Sequence, residues 1–456
     1  MSNLKYFIYT FKNILFGYLL IALNLKFLAQ DSLQKQSRFT LHVQETTVSQ
    51  FRPKFNALYT GAHSQTTQQQ WATTLTSTIF GGVRLWKNAS AFINPEIAGG
   101  SGLSSAFGIA AFTNGEAYRV GSPEPKIYLA RGFFKQLIVL TKEKEWQADA
   151  ENKIAQYLPK KYIGLTIGKV SIADYFDDNT FSHNPRSQFL SWGLMSNGAW
   201  DYPANTRGYT PSAIIEYISP KLELRYAISM MPITANGNIM DQNIAKANAN
   251  TFEIKYKYAI KGLQGKASAL AFYNTALMGS YTAQNIVTTY DSINPTFPTN
   301  DYSIVASRQY GRSKYGFGVN VEQYVTPNMG VFARASYNDG QNETWCFTEI
   351  DRAFSIGASL NGTKWKRKND ALAVAYCLSG LSQQHANYLS KGGLGFIIGD
   401  GRLNYANEHL FETYYSASLL NGKITPSFVY QFILNPAYNK DRGPISVYSI
   451  RLHFSI

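Results

Sequence analysis

The last nine residues, "YSIRLHFSI" (448–456), alternate between apolar and polar side chains without a break. The apolar positions are Tyr448, Ile450, Leu452, Phe454 and Ile456. Successive side chains of a β-strand point to opposite faces. The stretch therefore predicts a strand with one apolar and one polar face.

The same alternation recurs inside the chain, in "LELRYAISM" (222–230) and "FEIKYKYAIK" (252–261). A half-buried strand of a soluble sheet would also show a period of two. Here, however, whole rows of aromatic and aliphatic side chains stand opposite whole rows of charge. That arrangement favours strands with lipid on one side and water on the other.

Sixteen such strands can be counted, and the connections between them alternate between short and long. Short periplasmic turns and long outer loops are typical of an outer-membrane barrel. The fold class predicted is all-β, a transmembrane antiparallel β-barrel of about 16 strands, with both termini in the periplasm and loops folded inward. The predicted strands are 39–50, 71–86, 89–97, 127–137, 161–171, 211–219, 221–231, 249–261, 265–275, 312–325, 329–339, 350–360, 370–378, 408–420, 423–433 and 445–456.

A closed barrel sets a requirement for the terminal strand. Every backbone group inside the hydrocarbon must be paired, so the terminal strand is expected to close against the first.

The connection 138–160 breaks the alternation of short and long connections, because it should be a short turn and is not. Trp146, Ala150, Ile154 and Leu158 lie four apart, so it is interpreted either as a small amphipathic helix or as a disordered loop.

The first 29 residues predict a secretory signal peptide, and residues 30–456 the barrel as a single domain. Lys5 and Lys12 precede the short apolar run 14–23, and Ala29 precedes polar sequence. Phe27 is larger than the residue usual at its position, and an uncleaved anchor is the alternative. Beyond Ala29 no stretch reaches the roughly 18 apolar residues of a spanning helix.

Composition supports an exported barrel. Aromatic residues make up 14% of the chain and charged residues 16%, a balance that suits the aromatic girdles of a membrane barrel. Loss of the three leader lysines lowers the formal charge from +14 to +11. The surplus predicts either a basic rim at lipid headgroups or a basic lumen that attracts anions or hydroxyl-rich solutes. No concentrated basic block favours nucleic acid. The two cysteines, Cys346 and Cys377, are expected to pack, with one disulfide as the alternative.

The candidate pore-lining residues come from two sources. The first is the polar face of the predicted strands, where each position is either functional or an ordinary solvated wall residue. These inward residues are Arg84, Asn94, Glu96, Arg131, Glu223, Arg225, Glu253, Lys255, Lys257 and Arg334.

The second source is the long loops. The loop 173–210 holds more aromatic residues than a solvent-exposed loop should expose, so we expect it to fold inward and narrow the channel. Aromatic faces stack on sugar rings, while carboxylates and guanidinium groups bond ring hydroxyls. The alternative is a loop packed on its own aromatics and salt bridges. Its candidates are Asp177, Asp178, Arg186, Trp192, Trp200, Asp201 and Arg207, and the loop 98–126 adds Glu116 near the mouth.

No catalytic or cofactor chemistry is predicted. Asp174, Asp177, Asp178 and His183 match no trusted metal-ligand spacing. The motifs G-x-S-x-G, H-E-x-x-H and the P-loop are missing from the sequence. The chain is therefore interpreted as not an enzyme, with no metal and no cofactor.

Three stretches resemble the carbohydrate-selective porin family of the OprB type, found in Gram-negative outer membranes. They are "INPEIAGGSGLSSAFGIAAFTNGEAYRVG", "GKVSIADYFDDNTFSHNPRSQFLSWGLMSNGAWDYPANTRGYT" and "YQFILNPAYNKDRGPISVYSIRLHFSI". The resemblance runs from about residue 40 to residue 456. It implies a sixteen-stranded barrel in the outer membrane that passes sugars by facilitated diffusion through a constriction of charged and aromatic side chains. Family members often end on Phe, and this chain ends on Ile456.

The leading hypothesis is thus a passive channel for mono- or oligosaccharides. The alternative is a plugged barrel that binds surface polysaccharide as a lectin-like anchor, and the third is an outer-membrane enzyme. The partners expected are small-molecule sugars, outer-membrane lipid and the barrel-assembly machinery, with homo-oligomer formation left open.

Overall fold

A computed structural model of the chain describes residues 35–117, 123–283 and 304–456. The predicted signal peptide, 1–29, lies outside these residues. The described strands are β1 (Phe39–Arg52), β2 (Gln70–Trp86), β3 (Ala89–Gly100), β4 (Lys126–Val139), β5 (Lys144–Gln147), β6 (Gln156–Pro159), β7 (Tyr162–Val170), β8 (Thr210–Ile218), β9 (Leu222–Met230), β10 (Asn248–Ile260), β11 (Leu263–Met278), β12 (Gln309–Thr326), β13 (Met329–Asn338), β14 (Arg352–Gly362), β15 (Arg367–Gly380), β16 (Glu408–Ser416), β17 (Ile424–Leu434) and β18 (Ile445–Ser455).

Sixteen of these strands form one closed barrel in which every neighbour is antiparallel, and β5 and β6 pair only with each other. Each barrel strand corresponds to one of the sixteen predicted strands, with ends within four residues of the predicted ones. The predicted fold class is confirmed. The barrel closes where β1 meets β18, with Gln44 opposite Ser455 and Phe51 opposite Tyr448. The terminal alternation therefore marks the closing strand, as expected.

The alternation in β10 separates lipid from lumen as predicted. Tyr256 is 50% exposed on the outer surface, and Phe252 and Ile254 share that face. Glu253 and Lys255 on the other face are buried inside the barrel. A strand in this setting must present its apolar row to hydrocarbon.

The connections alternate as the sequence predicts. Those at one end of the barrel, here called the turn end, hold two to seven residues, with one exception. One of the two-residue turns is Lys261-Gly262, where both residues have positive φ (52° and 80°), which glycine adopts without steric cost. The connections at the opposite end, here called the loop end, are longer. No helix in the described ranges is long and apolar enough to span a membrane.

The exception at the turn end is residues 140–161, called here the turn-end segment. Both interpretations of this stretch, a helix and a disordered loop, are wrong. It contains the antiparallel hairpin β5–β6, in which Trp146 is opposite Tyr157 with their rings 5.1 Å apart. The spacing of four among its apolar residues was misleading, because Trp146 and Leu158 belong to opposite strands of one hairpin.

Two helices are described within the loops, Trp192–Met195 and Gln383–Ser390. The first belongs to residues 171–209, called here the constriction loop. Its aromatic side chains are buried as predicted: Phe176, Phe181, Phe189, Trp192, Trp200, Tyr202 and Tyr209. The loop therefore folds into the barrel rather than out into solvent.

Candidate functional site: a charged chamber in the lumen

A cavity of about 870 Å³ lies inside the barrel, between the constriction loop and the turn-end segment. It is called the chamber below. Eight of the eighteen sequence-predicted site residues line it: Glu96, Glu116, Arg131, Asp178, Arg186, Trp192, Arg207 and Arg225. The other ten are not among its lining residues: Arg84, Asn94, Asp177, Trp200, Asp201, Glu223, Glu253, Lys255, Lys257 and Arg334.

Arg186 fastens the constriction loop to the barrel wall. Its guanidinium donates to Glu96 at 3.1 Å and to Glu116 at 3.2 Å, and also to Gln44 at 2.9 Å. Burial opposes the charge of this arginine, but the two carboxylates outweigh that effect and raise its pKa. Because its donors are occupied by wall groups, Arg186 holds the chamber's shape.

A second arginine, Arg131 on β4, is held in the same way. Its guanidinium donates twice to Asp174, at 2.6 and 2.8 Å, in the bidentate geometry that carboxylates favour. It also lies over the ring of Tyr209, 5.1 Å from the centroid. The Tyr209 hydroxyl donates to Glu96 at 3.1 Å, and so does the hydroxyl of Tyr128. The two tyrosines are therefore oriented by one carboxylate.

Arg207 differs from the other arginines of the chamber. Its guanidinium lies 3.8 Å from the centroid of the Tyr128 ring. Arg131, Arg186 and Arg225 all have carboxylate partners. Arg207 has no ion-pair partner among the residues that the structure describes. Within the described part of the chain its side-chain donors are therefore available to a solute beside an aromatic face.

The chamber's charges nearly balance. Seven basic side chains line it, against six acidic ones. Of the two predictions for the basic surplus, a basic lumen is therefore not found in this cavity. Part of the surplus lies in exposed turn-end residues, including Lys364, Lys366, Arg367 and Lys368. Close pairs of opposite charge offer both donors and acceptors to a neutral solute.

Three aromatic rings form a flat group at one side of the chamber. Trp192 stacks on Tyr202 and Phe347, with centroids 5.4 and 4.9 Å apart and planes within 18°. Tyr202 also stacks on Phe347 at 4.9 Å. All three line the chamber but are almost fully buried. Trp200, packed 5.3 Å from Tyr202, lies behind them.

Several of the predicted site residues instead fasten the constriction loop. Arg334 on β13 donates to the Asp177 carboxylate at 3.2 Å and to the carbonyl of Leu194 at 2.9 Å. Asp177 also accepts from the backbone and side chain of Asn197, at 2.6 and 2.9 Å. Arg334 and Asp177 are both buried. This pair fixes the fold of the loop away from the chamber.

Asp201 has a comparable role toward the neighbouring loop. Its carboxylate accepts from the backbone N–H groups of Trp345, Cys346 and Phe347 at 2.9, 2.9 and 3.1 Å. Burial raises the pKa of the Asp201 carboxyl, against the opposing effect of Lys314 and these N–H donors. Asp201 therefore holds Phe347 in place within the aromatic group.

The remaining six candidates lie elsewhere on the wall. Arg84 donates to Gln36 at the turn end, at 2.9 Å. Asn94 donates to Asn152 of the turn-end segment, also at 2.9 Å. The two lysines of β10 form ion pairs, Lys255 with Asp178 and Glu253, and Lys257 with Glu223. Burial opposes ionisation of Asp178, but Lys255 and Lys266 outweigh it and lower the pKa of that carboxyl.

Sequence reasoning missed several lining residues. Strict alternation puts Tyr128 on the face opposite to the candidate Arg131, so it was missed. A bulge, at which Asn94 pairs with Arg131 and Pro95 with Leu129, brings both side chains to the lumen face. Glu151 and Asn152 were missed because the turn-end segment was not predicted to enter the lumen. In the described residues, no group of three or more His, Cys, Asp or Glu could hold a metal ion. Cys346 and Cys377 are free and buried, so no disulfide joins them.

Comparison with known proteins agrees with this architecture. The family model of the carbohydrate-selective porins, OprB family, matches residues 60–456. The solved OprB of Pseudomonas putida at high pH is 14% identical, covers 92% of this chain and 94% of its own, and superposes with a TM-score of 0.67. The outer-membrane channel DcaP of Acinetobacter baumannii is 11% identical, with coverage of 92% and 97% and a TM-score of 0.51. No curated protein sequence matches the chain significantly.

The chain belongs to the OprB family of carbohydrate-selective porins. It is an outer-membrane β-barrel channel for the diffusion of sugars, as the sequence-based resemblance predicted. The family is one of channels rather than enzymes.

Proposed function

We propose that sugars cross this barrel through the chamber and that Arg207 with Tyr128 is their main binding point there. The volume of about 870 Å³ falls in the range of small-molecule sites, roughly 300–1,000 Å³. The near balance of charge suits neutral mono- or oligosaccharides. The eight lining candidates are assigned as pore-lining residues, with Arg131 and Arg186 in a positioning role.

The observation that carries this proposal is the contrast among the four chamber arginines. Three are occupied by carboxylates, whereas the guanidinium of Arg207 lies over an aromatic ring without an ion pair in the described part of the chain. A sugar offers an apolar face for Tyr128 and hydroxyl acceptors for Arg207. One such contact binds weakly, as passage requires, since solute must enter and also leave.

The test is single-channel recording in planar bilayers with sugar added to one side. We expect brief, concentration-dependent block of the wild-type current by neutral sugars. Arg207→Ala should weaken the block at least several-fold, and Arg207→Lys should restore part of it. Lys54→Ala, an exposed change at the loop end and away from the chamber, is the matched control. Unaltered block in Arg207→Ala would refute the assignment of Arg207.

Liposome swelling with neutral, acidic and basic sugars tests the charge argument. Neutral sugars should enter fastest, because the chamber presents no large net charge. Faster entry of acidic sugars would instead indicate a field dominated by the basic residues.

The plugged barrel is the second candidate, favoured by one observation: segments from both ends enter the lumen. A plugged barrel carries no current under any sugar, whereas the proposed channel conducts and is blocked. A role as an enzyme would require a clustered acid/base pair at the mouth whose removal abolishes sugar turnover without changing conductance.

A further inference from the structure

The turn-end segment is too long for its position. The other turn-end connections hold two to seven residues, whereas residues 140–161 join β4 to β7 with 22. A simple reversal between two antiparallel strands needs only about two to five residues. The excess length therefore calls for a role other than chain reversal.

The segment turns into the barrel and bonds to inward-facing wall residues. Asp149 accepts from His42 at 3.0 Å, and Asn152 accepts from Asn94 at 2.9 Å. Glu151 bonds to Gln44 and accepts from Ser455 at 3.3 Å. These contacts reach β1, β3 and β18, so the tip of the segment spans part of the lumen's width.

The tip also contributes directly to the chamber. Ile154 is fully buried beneath it, and the backbone carbonyl of Ala155 accepts from the N–H of Ser37 at 2.9 Å. The tip of the segment is thus packed into the barrel and bonded to it, and does not only lie beside it. The chamber residues that it supplies are Gln147, Glu151, Asn152, Lys153, Gln156 and Leu158.

Gln44 links this segment to the constriction loop. Its side-chain oxygen accepts from Arg186 at 2.9 Å, and its side-chain nitrogen donates to Glu151. One wall amide therefore contacts both structures that enter the lumen. Because an amide has separate donor and acceptor ends, it can serve both partners at once.

We propose that the turn-end segment forms a second constriction, a floor to the chamber that sets the largest solute able to leave at the periplasmic end. Gln44 keeps this floor in register with the constriction loop. The inference rests on the proposed passage of sugars through the chamber. The solutes that it separates are neutral sugars of increasing chain length, with monosaccharides passing most readily.

The first experiment replaces residues 141–160 with Asn-Gly, a favoured two-residue hairpin turn. We expect single-channel conductance to rise at least twofold, because a narrow section of the pore is removed. Longer oligosaccharides should then enter liposomes that the wild type excludes. Unchanged conductance together with an unchanged size limit would overturn the proposal.

A second variant keeps the test decisive where the deletion fails to fold. Asn152→Trp adds bulk at the chamber floor and should lower conductance and exclude disaccharides. Lys144→Trp, on the exposed side of the same segment, should leave both unchanged. Equal effects of the two tryptophans would contradict a floor at residue 152. Absence of current in the wild type and in both variants would instead refute the proposed channel itself.

Discussion

The constriction loop and the turn-end segment enter the lumen from opposite ends, but they are attached differently. The loop is held by buried charges. Its Asp177 pairs with Arg334 of β13, and Glu412 of β16 accepts from the N–H groups of Leu190 and Ser191 at 2.6 and 2.8 Å. The turn-end segment is held mainly by solvent-accessible side-chain hydrogen bonds. One joins His42 to Asp149, and the side chain of Asp149 is 42% exposed.

The difference indicates which part of the pore can adjust. A buried charge that loses its partner is costly, so the loop opens only with a large loss of free energy. Exposed hydrogen bonds contribute little and break locally. The opening bounded by the constriction loop therefore has a fixed width. The chamber floor formed by the turn-end segment deforms more easily.

The largest expected effect comes from breaking the loop's buried pair. Arg334→Ala leaves Asp177 charged and unpaired in the interior and should lower the free energy of unfolding by about 3–5 kcal/mol. Guanidinium titration of the refolded protein in lipid vesicles measures it. Arg84→Ala, which removes a half-buried arginine whose bond to Gln36 lies at the solvent-exposed turn end, is the control and should change stability little. If Arg334→Ala lowers the free energy of unfolding no more than this control does, the constriction loop is not held more strongly than the turn-end segment.

The next effect tests the aromatic group. Trp192→Ala should cost about 3 kcal/mol, because it leaves a void between Tyr202 and Phe347. Trp192→Phe should cost less than half as much. Limited proteolysis of the loop reports whether the loss is local. A stable Trp192→Ala protein with a wider conductance would mean that the ring narrows the pore rather than supports it.

A pH series sharpens the comparison at the loop end. Glu349 accepts from the N–H groups of Ile397 and Ile398, and burial raises its pKa to about 8. Since its folded pKa exceeds the ordinary value of 4.5, its contribution is complete below pH 4.5 and is lost as pH rises through about 8. One pKa unit corresponds to about 1.4 kcal/mol, so the melting temperature should fall measurably over this range.

The control for this series is Glu349→Gln, which keeps an oxygen acceptor and cannot ionise. Its melting temperature should fall less between pH 5 and about pH 8. Parallel curves for the variant and the wild type would show that another group causes the dependence.

The smallest effect is expected at the turn end. Asn152→Ala removes one neutral hydrogen bond and should cost about 1 kcal/mol or less. Calorimetry should show almost no shift, while current fluctuations in bilayers should increase as the floor loosens. Asn361→Ala, at another turn of the same end, serves as the comparison. A large loss of stability in Asn152→Ala would show that the turn-end segment is held as strongly as the constriction loop.

The strands could be predicted from sequence because lipid enforces a period of two. The β10 row of Phe252, Ile254 and Tyr256 has no other stable position. The entry of the constriction loop was also predictable, from its excess of aromatic residues. The sequence did not predict which charged residues face the chamber, because this depends on pairings between distant segments, such as Arg334 with Asp177. The structure of residues 140–161 was also mispredicted, because apolar residues spaced four apart fit the two strands of a hairpin as well as one face of a helix.

The join between β1 and β18 has a consequence for how the molecule is made. Thr46 and His453 bond across it at 2.9 Å, although 407 residues separate them. Contacts between such distant residues form slowly. Until they form, both terminal strands present unpaired backbone groups that other chains can add to. The newly exported polypeptide is thus at greatest risk of aggregation just before its ends meet, and a helper that shields those two edges would meet that need.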